Sequence, residues 1–588
     1  MSCFTRAANA SQYLNRVYGI TVPQENISML VASKLLPAFE DKDGPIVAKS
    51  DLNRLATFFT LTSNKDSFFK RKKSLLSQET IISIKTDNGT EFEFLDLESL
   101  EPVAFAALKN IFINIDSLDI ERREGSSITL RILDSITITT PSQKLVEYVL
   151  DIDNNASILM SAKSSHFANT AYYMGSKKVL SPYLCEAIAG NFSQKITILD
   201  LMCGSGAASA GFSRFWQTFA SDAQGFCTTL AEVQGGGFTV QEANSLVVQL
   251  SEAARMHTER LILSVGEFVQ LEEEIFHSHD YTLGIERYRS FIDRFPTYPS
   301  RECINGWEPF SWVNSRKENL TKAPYCLFTA YFANVYFSLR QCVEIDSIRY
   351  AIDQIKDHNH KRWALGALIA AISNIGTTYG GHFAQPPASP SSKITENTFF
   401  KIIEKRSFSV MHEFSARLLS LASESESTPN QITPIPGPWS QAIEQFSNLK
   451  YTGDVIVYID PPYTRDEYSR YYHILETLIK YDYPSSTGKG RIPSKKNGER
   501  FSSSFFTRSK PKMESEIIKI LDAVLSNRLS LAWSYSSSAD AHVPRIVDQL
   551  AKKHNIETYM YAAPYTHKAQ GGRKAKRVTE YLIILKHK

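Results

Sequence analysis

The sequence predicts an α/β protein: a mostly parallel sheet, a large helical insertion within it, and two smaller units before it. Three observations predict this. First, residues 196–200, 455–460, 529–535 and 581–585 are near-continuous apolar runs, as in Val455-Ile456-Val457-Tyr458-Ile459, and such runs belong to strands covered on both faces. Second, the first run ends in Met202-Cys203-Gly204-Ser205-Gly206, followed at once by small residues from Ala207 to Phe212, a strand–turn–helix unit of doubly wound folds. Third, the stretch between a possible second strand near 219–222 and the clear strand at 455–460 carries helical periodicity at 328–339, 347–356, 363–375 and 400–420, before a Ser/Pro/Thr-rich segment at 423–438. The predicted organisation is a sheet domain from 166–240 and 440–588, with a mainly helical insertion at 241–439 as candidate target-recognition domain.

Composition bounds the rest. A chain of 588 residues exceeds one hydrophobic core. The net charge of +3 excludes a polycation, so any nucleic-acid surface must come from local basic segments. The seven cysteines contain no C-x-x-C spacing and no paired Cys/His grouping, which argues against a metal site or disulfide framework and fits a reducing cytoplasm. No apolar run reaches the length of a membrane span.

Residues 1–62 read as helix, turn, helix, β-wing, helix. Ala10, Tyr13, Leu14 and Val17 share a helical face that Gly19 ends; Thr21-Val22-Pro23 begins a second helix; Leu35 to Phe39 turns through Asp41 to Pro45 into Ile46-Val47-Ala48; Ser50-Asp51-Leu52 begins a third helix. This order resembles the excisionase/MerR-like winged helix-turn-helix, and the resemblance implies a DNA-binding domain. Residues 66–165 carry alternating strands at 81–85, 92–95, 128–133 and 136–139, a small β-rich or α+β unit with no assignable chemistry.

The glycine turn points to a nucleotide-like cofactor. Gly204 and Gly206 allow close backbone approach at a helix N-terminus. The G-x-G-x-x-G pattern is incomplete and no phosphate-binding Lys follows, so a dinucleotide enzyme is disfavoured. Asp222 stands where the next strand should end, the position at which an acid binds ribose hydroxyls in such folds. Asp200 to Gly206 resembles motif I of class I S-adenosylmethionine methyltransferases. On that resemblance Gly204 and Gly206 pack against S-adenosyl-L-methionine, Asp200 braces the loop and Asp222 holds the ribose. Upstream, Tyr173-Met174-Gly175-Ser176-Lys177 resembles the aromatic-x-G-x-K segment of Dam-like adenine methyltransferases, which implies that Tyr173 and Gly175 pack on the cofactor and that Lys177 neutralises its carboxylate.

The chemistry centres on Asp460-Pro461-Pro462-Tyr463, directly after an apolar strand. Two prolines cannot continue a central sheet, so the tetrapeptide is a rigid turn at the ligand-binding edge. An exocyclic amine conjugated with a purine is a poor nucleophile. The Asp460 carboxylate and Pro461 carbonyl are acceptors for its two N–H bonds, which draws the nitrogen toward tetrahedral geometry. Tyr463 offers a stacking face for an extruded base. The order aromatic-x-G-x-K, glycine turn, insertion, D-P-P-Y is similar to the D12 (Dam-like, alpha) class of N6-adenine DNA methyltransferases. It implies a Rossmann-like class I fold and site-specific methylation of adenine in double-stranded DNA. The same residues leave N4-cytosine or RNA adenine methylation open, as well as a non-catalytic DNA-binding component of a restriction-modification or defence system with partner proteins.

Candidate DNA contacts follow the tetrapeptide. Arg465 and Arg470 lie beside the base pocket, and residues 487–512 carry eight basic residues against Glu499 alone, among them Lys495, Lys496 and Arg500. Arg573 and Lys574 lie in a second cluster around Gly571-Gly572. Such clusters neutralise phosphates. His473, one helical turn from Glu476, is read as structural rather than as a base.

Overall fold

The computed structural model describes residues 2–61, 82–85, 91–94, 104–105, 108, 119–124, 127–133, 136–141, 143–146, 171–192, 195–278, 280–299, 307–378, 380–389, 393–462, 467–507, 509–537, 539, 541–567 and 576–588. Strands are β1 (Phe4–Arg6), β2 (Ile46–Ala48), β3 (Ile82–Lys85), β4 (Glu91–Phe94), β5 (Asp119–Glu124), β6 (Ser127–Leu133), β7 (Ile136–Pro141), β8 (Ile196–Asp200), β9 (Gln217–Ala220), β10 (Ile432–Pro434), β11 (Asp454–Ile459), β12 (Ser486–Thr487), β13 (Ile492–Pro493), β14 (Ser530–Ser536), β15 (Ile556–His567) and β16 (Lys576–His587).

The main sheet has seven strands in the order β10-β9-β8-β11-β14-β16-β15. The first five run parallel, and β16 is antiparallel to both neighbours. This mixed α/β sheet is compatible with a Rossmann-like methyltransferase. Alternate side chains enter two cores. Ile198, Ile456 and Tyr458 pack under helices Ser181–Ala189 and Ala207–Ser213. Leu199, Val457, Ile459 and Trp533 pack under Trp439–Ser447, Lys510–Ser526 and Val543–Ala551. Burial on both faces explains the unbroken apolar runs. From β8 the chain builds outward through β9 and β10, then crosses to β11 on the other side of β8. That reversal opens a crevice at the carboxyl ends of β8 and β11.

The insertion enters after β9 and its following helix, and returns through β10 beside β9. Its longest element is Val240–Phe276, opened by a capping box between Thr239 and Glu242. The single helix expected at 328–339 is broken: Leu327–Tyr331 ends, Asn334 takes a positive φ of 60°, and Ser338 caps the helix Leu339–Asp353 through Gln341. The competing Ser-x-x-Gln cap overrides continued apolar periodicity. One buried core joins the insertion (Leu246, Ile348, Ile369) to Phe226, Tyr472 and Leu475 of the sheet domain.

At the N-terminus, helices Ala10–Tyr18, Gln24–Ala32 and Lys49–Leu61 form where expected, and Gly19 caps the first in a left-handed conformation. The expected hairpin is reduced to one Phe39–Ile46 bridge, and β2 pairs instead with β1. The second unit contains the hairpin β3–β4 and the three-stranded sheet β5-β6-β7, of which β5 was not expected. Ile128, Leu130 and Leu145 share a buried cluster with Leu14, Leu30 and Leu52.

The third N-terminal helix docks on the sheet's edge strand. Ser50 donates to the Thr558 carbonyl and Met560 N–H donates to Asp51 at 3.2 Å. Arg54 donates to Tyr561 Oη, Asn191 Oδ1 and, at 3.2 Å, the Gly190 carbonyl, with its guanidinium 4.2 Å from the Tyr559 ring centroid. Arg54→Ala removes these donors at once. The expected outcome is a loss of about 1–3 kcal/mol in unfolding free energy, read from urea denaturation; an unchanged midpoint contradicts the docking.

Candidate active site

Asp200 is the last residue of β8 and 1% exposed. Its Oδ2 accepts from Ser209 N–H at 3.1 Å and Ser209 Oγ at 2.6 Å, tying the strand end to the helix beyond the glycine turn. Burial pushes its carboxyl up to about 7, and nearby Asp460 adds to the effect. The turn is fixed from both sides, since Cys203 N–H donates to the Ser221 carbonyl at 3.0 Å and Ser221 N–H to the Asp200 carbonyl at 2.8 Å.

Gly204 and Gly206 both adopt positive φ, 52° and 77°. A Cβ on Gly204 would lie 2.7 Å from the Tyr173 ring, and one on Gly206 would lie 2.5 Å from Ala231 Cα. Gly206 thus provides tight packing against helix Gly225–Glu232, while Gly204 provides room for an aromatic ring. Asp222 accepts from Gly204 N–H at 3.2 Å and Gln224 N–H at 2.9 Å, so it also braces the turn. Burial raises its carboxyl to about 6.

The upstream segment closes over this turn. The Tyr173 ring stacks on Tyr472 at 4.7 Å and meets Tyr468 at 5.5 Å. Met174 N–H donates to Tyr472 Oη at 2.8 Å, and Gly175 lies beside Tyr468 Oη. Lys177 is 7% exposed. Its ammonium stands 2.9 Å from Asp460 Oδ2 and 3.8 Å from Glu580 Oε2. Three segments far apart in sequence therefore meet at the carboxyl edge of β8 and β11. The resemblance expects Lys177 at a cofactor carboxylate; here its charge faces the Asp460 carboxylate.

Asp460 and the buried Pro461 lie at the end of β11, next to β8, with Tyr458 paired to Asp200. Pro462 is described and half-buried, whereas Tyr463, Arg465, Arg573 and Lys574 lie outside the described residues. Arg470 and Lys496 are exposed. Lys495 and Arg500 instead converge on Glu467, Arg500 at 2.7 Å. His473 is buried, its Nε2 3.0 Å from the Phe383 carbonyl, and burial lowers its pKa to about 3, which fits a structural role.

Sequence reasoning missed Glu580 and Glu467, and it placed the aromatic residues of 464–476, Tyr468 and Tyr472 among them, beside the base pocket without showing that they pack on Tyr173. Glu580 had a signal, since it is a lone acid beside the apolar run 581–585 of β16. Among the described residues no group of His, Cys, Asp or Glu is arranged to hold a metal, and no helix is long and apolar enough to cross a membrane.

Residues 440–534, which include Asp460, match the profile of the D12 class N6 adenine-specific DNA methyltransferase family. The chain is 25% identical over 342 residues to modification methylase LlaI of Lactococcus lactis subsp. lactis, covering 55% of this chain and 49% of that protein. It is 23% identical over 440 residues to the Type II methyltransferase M.FokI of Planomicrobium okeanokoites, covering 70% and 52% respectively. The chain thus spans about half the length of these curated relatives.

The raised Asp200 carboxyl has a consequence for stability. Its folded pKa of about 7 lies above the 3.8 of a freely solvated aspartate, so folding takes up a proton between those limits. The contribution is full below the lower value and is lost as pH rises through the upper one. Asp200→Asn keeps an acceptor for Ser209 but cannot titrate. Thermal melts between pH 5 and 8 should fall less steeply with pH for the variant than for the parent; parallel curves contradict the assignment.

Proposed function

We propose that this protein is a site-specific DNA adenine methyltransferase that uses S-adenosyl-L-methionine to methylate N6 of an extruded adenine in double-stranded DNA. The observation that carries this reading is the meeting of Lys177, the glycine turn and Asp460 at the switch point of the sheet. The D12 profile over 440–534 and the two methylase relatives support it.

The donor set fits the cofactor. The turn 201–206 contains glycines and no cation for a pyrophosphate. Asp222 follows the second strand, Tyr173 covers the turn, and Gly175 keeps the backbone slim beside Tyr468. Tyr173, Gly175, Lys177, Gly204, Gly206 and Asp222 would hold S-adenosyl-L-methionine, with Asp200 bracing their loop. When bound, it supplies an electrophilic methyl group.

The protein's own residues prepare the amine. Asp460 and the Pro461 carbonyl accept its N–H bonds, Pro462 keeps the turn rigid, and Tyr463 stacks on the base. Lys177 holds the Asp460 carboxylate through Oδ2 and favours its charged, accepting form. A carboxylate has about four lone-pair sites, so this ion pair and an amine hydrogen bond are compatible. Arg465, Arg470, Lys495, Lys496, Arg500, Arg573 and Lys574 would face phosphates, Lys495 and Arg500 from positions set by Glu467.

The reading extends to residues 1–62 as a winged helix-turn-helix, supported by element order. Arg6 is paired with Asp41 and Arg54 is used in docking, and the exposed Arg16 and Lys42 are its candidate phosphate contacts. Double-stranded DNA is then the macromolecular partner, and the modification-methylase relatives favour a restriction-modification setting with its own partner proteins.

Asp460→Ala is expected to lower methyl transfer to DNA by at least ~100-fold, the scale for removing one organising hydrogen-bond group, while calorimetric binding of S-adenosyl-L-methionine persists. Retained transfer by this variant overturns the assignment.

A further inference from the structure

The loop following the candidate active site carries two exposed phenyl groups. Phe501 is 43% exposed and Phe506 is 46% exposed, whereas Phe505 between them is 3% exposed and buried in the core beneath the sheet. Phe506 N–H donates to the Ser503 carbonyl at 3.2 Å and Thr507 N–H to the Phe505 carbonyl at 2.8 Å. Phe505 therefore anchors a tight turn that presents Phe506 outward. Phe501 is held from the other side, because Ser469 Oγ donates to its carbonyl at 2.7 Å. Ser469 adjoins Tyr468, which packs on Tyr173 and Gly175. Phe501 is thus tied through its backbone to helix Tyr468–Tyr471, whose Tyr468 packs on the Tyr173 ring that covers the glycine turn.

Exposed phenyl groups cost hydration free energy unless a partner covers them. The surroundings identify that partner's chemistry. The same loop carries Lys489 and Lys496 at exposed positions, the exposed Lys510 and Lys512 follow in the first turn of helix Lys510–Ser526, and the Lys495 ammonium lies 4.7 Å from the Phe506 ring centroid. Glu467 ties the loop down through Lys495 and Arg500, so the rings are presented on a fixed base. Cations flanking exposed aromatic faces suit a polyanion with stacked planar groups, which is nucleic acid. Removing one base from a duplex costs a few kcal/mol in lost stacking and leaves a gap. Apolar side chains that enter a base step offset such unstacking.

We propose that Phe501 and Phe506 form an aromatic wedge that enters the DNA base stack beside the target adenine and stabilises its extruded state. The wedge rests on the DNA methyltransferase reading and adds the groups that hold the duplex open. They are positioning residues, since the methyl acceptor is held by Asp460.

The test uses the full chain and two oligonucleotide duplexes carrying the sequence that the wild-type protein methylates in genomic DNA. In one duplex the target adenine is paired with thymine; in the other it lies opposite an abasic site and is already unpaired, so its extrusion costs less. The Phe501→Ala/Phe506→Ala variant should lose about tenfold or more in kcat/KM on the paired duplex, ~1.4 kcal/mol. It should stay near wild type on the abasic duplex, with S-adenosyl-L-methionine binding unchanged. A Phe501→Trp/Phe506→Trp variant keeps the stacking faces and should retain activity on both. Equal losses on the two duplexes, or no loss on either, overturn the wedge alone. A wild-type protein that methylates neither genomic DNA nor either duplex overturns both the wedge and the reading on which it rests.

Discussion

The charge pair between Lys177 and Asp460 constrains the rest of the site. A carboxylate and an ammonium withdrawn from water are costly unless they are paired. Lys177 is 7% exposed, and the Asp460 side chain retains 18%. Asp460 is delivered by the central strand, so the segment carrying Lys177 must come to it. That requirement draws Tyr173 across the glycine turn and into its stack with Tyr472. It explains how residues before the first strand of the sheet and residues after its fourth become one surface. Glu580 at 3.8 Å adds a second acid from the antiparallel strand, so β11, β16 and the segment before helix Ser181–Ala189 contribute to one electrostatic unit.

The helical insertion is continuous with this unit. His382 stacks on Tyr471 at 4.5 Å, and Phe383 N–H donates to the Tyr471 carbonyl at 2.7 Å. Gly381 leaves space that the Tyr172 ring occupies, and Tyr336 Oη donates to the Phe383 carbonyl at 2.6 Å. Loops from the upstream segment, the insertion and the segment after β11 therefore share one rim. In the proposed function this rim faces the duplex, and reading of sequence and gripping of the base are mechanically linked through packed aromatic side chains.

Much of the fold was written locally. The apolar runs mark strands because both sheet faces are covered, and Gly19 ends its helix because a left-handed cap suits glycine. The capping box at Thr239 and Glu242 announces the helix 240–276, yet the sequence reading left it unassigned. β10 has three residues, too few for any periodicity to reveal. The site was legible as motifs but not as contacts. Position after strands singled out Asp222 and Asp460, and the family resemblance singled out Lys177. Neither could show that Asp222 accepts from Gly204 N–H or that Lys177 faces Asp460, because those pairings depend on how distant strands and loops close. Lys495 and Arg500 read as free phosphate contacts in sequence, while in the fold both lean on Glu467.

The central claim is the chemistry at the end of β11. It is tested most directly by incubating the full chain with S-adenosyl-L-methionine labelled in its methyl group and unmethylated genomic DNA, then digesting the DNA and separating the nucleosides. The account predicts that the label is recovered as N6-methyladenine within a defined flanking sequence. Label in N4-methylcytosine, or DNA that remains unlabelled while the protein binds the cofactor, would contradict it.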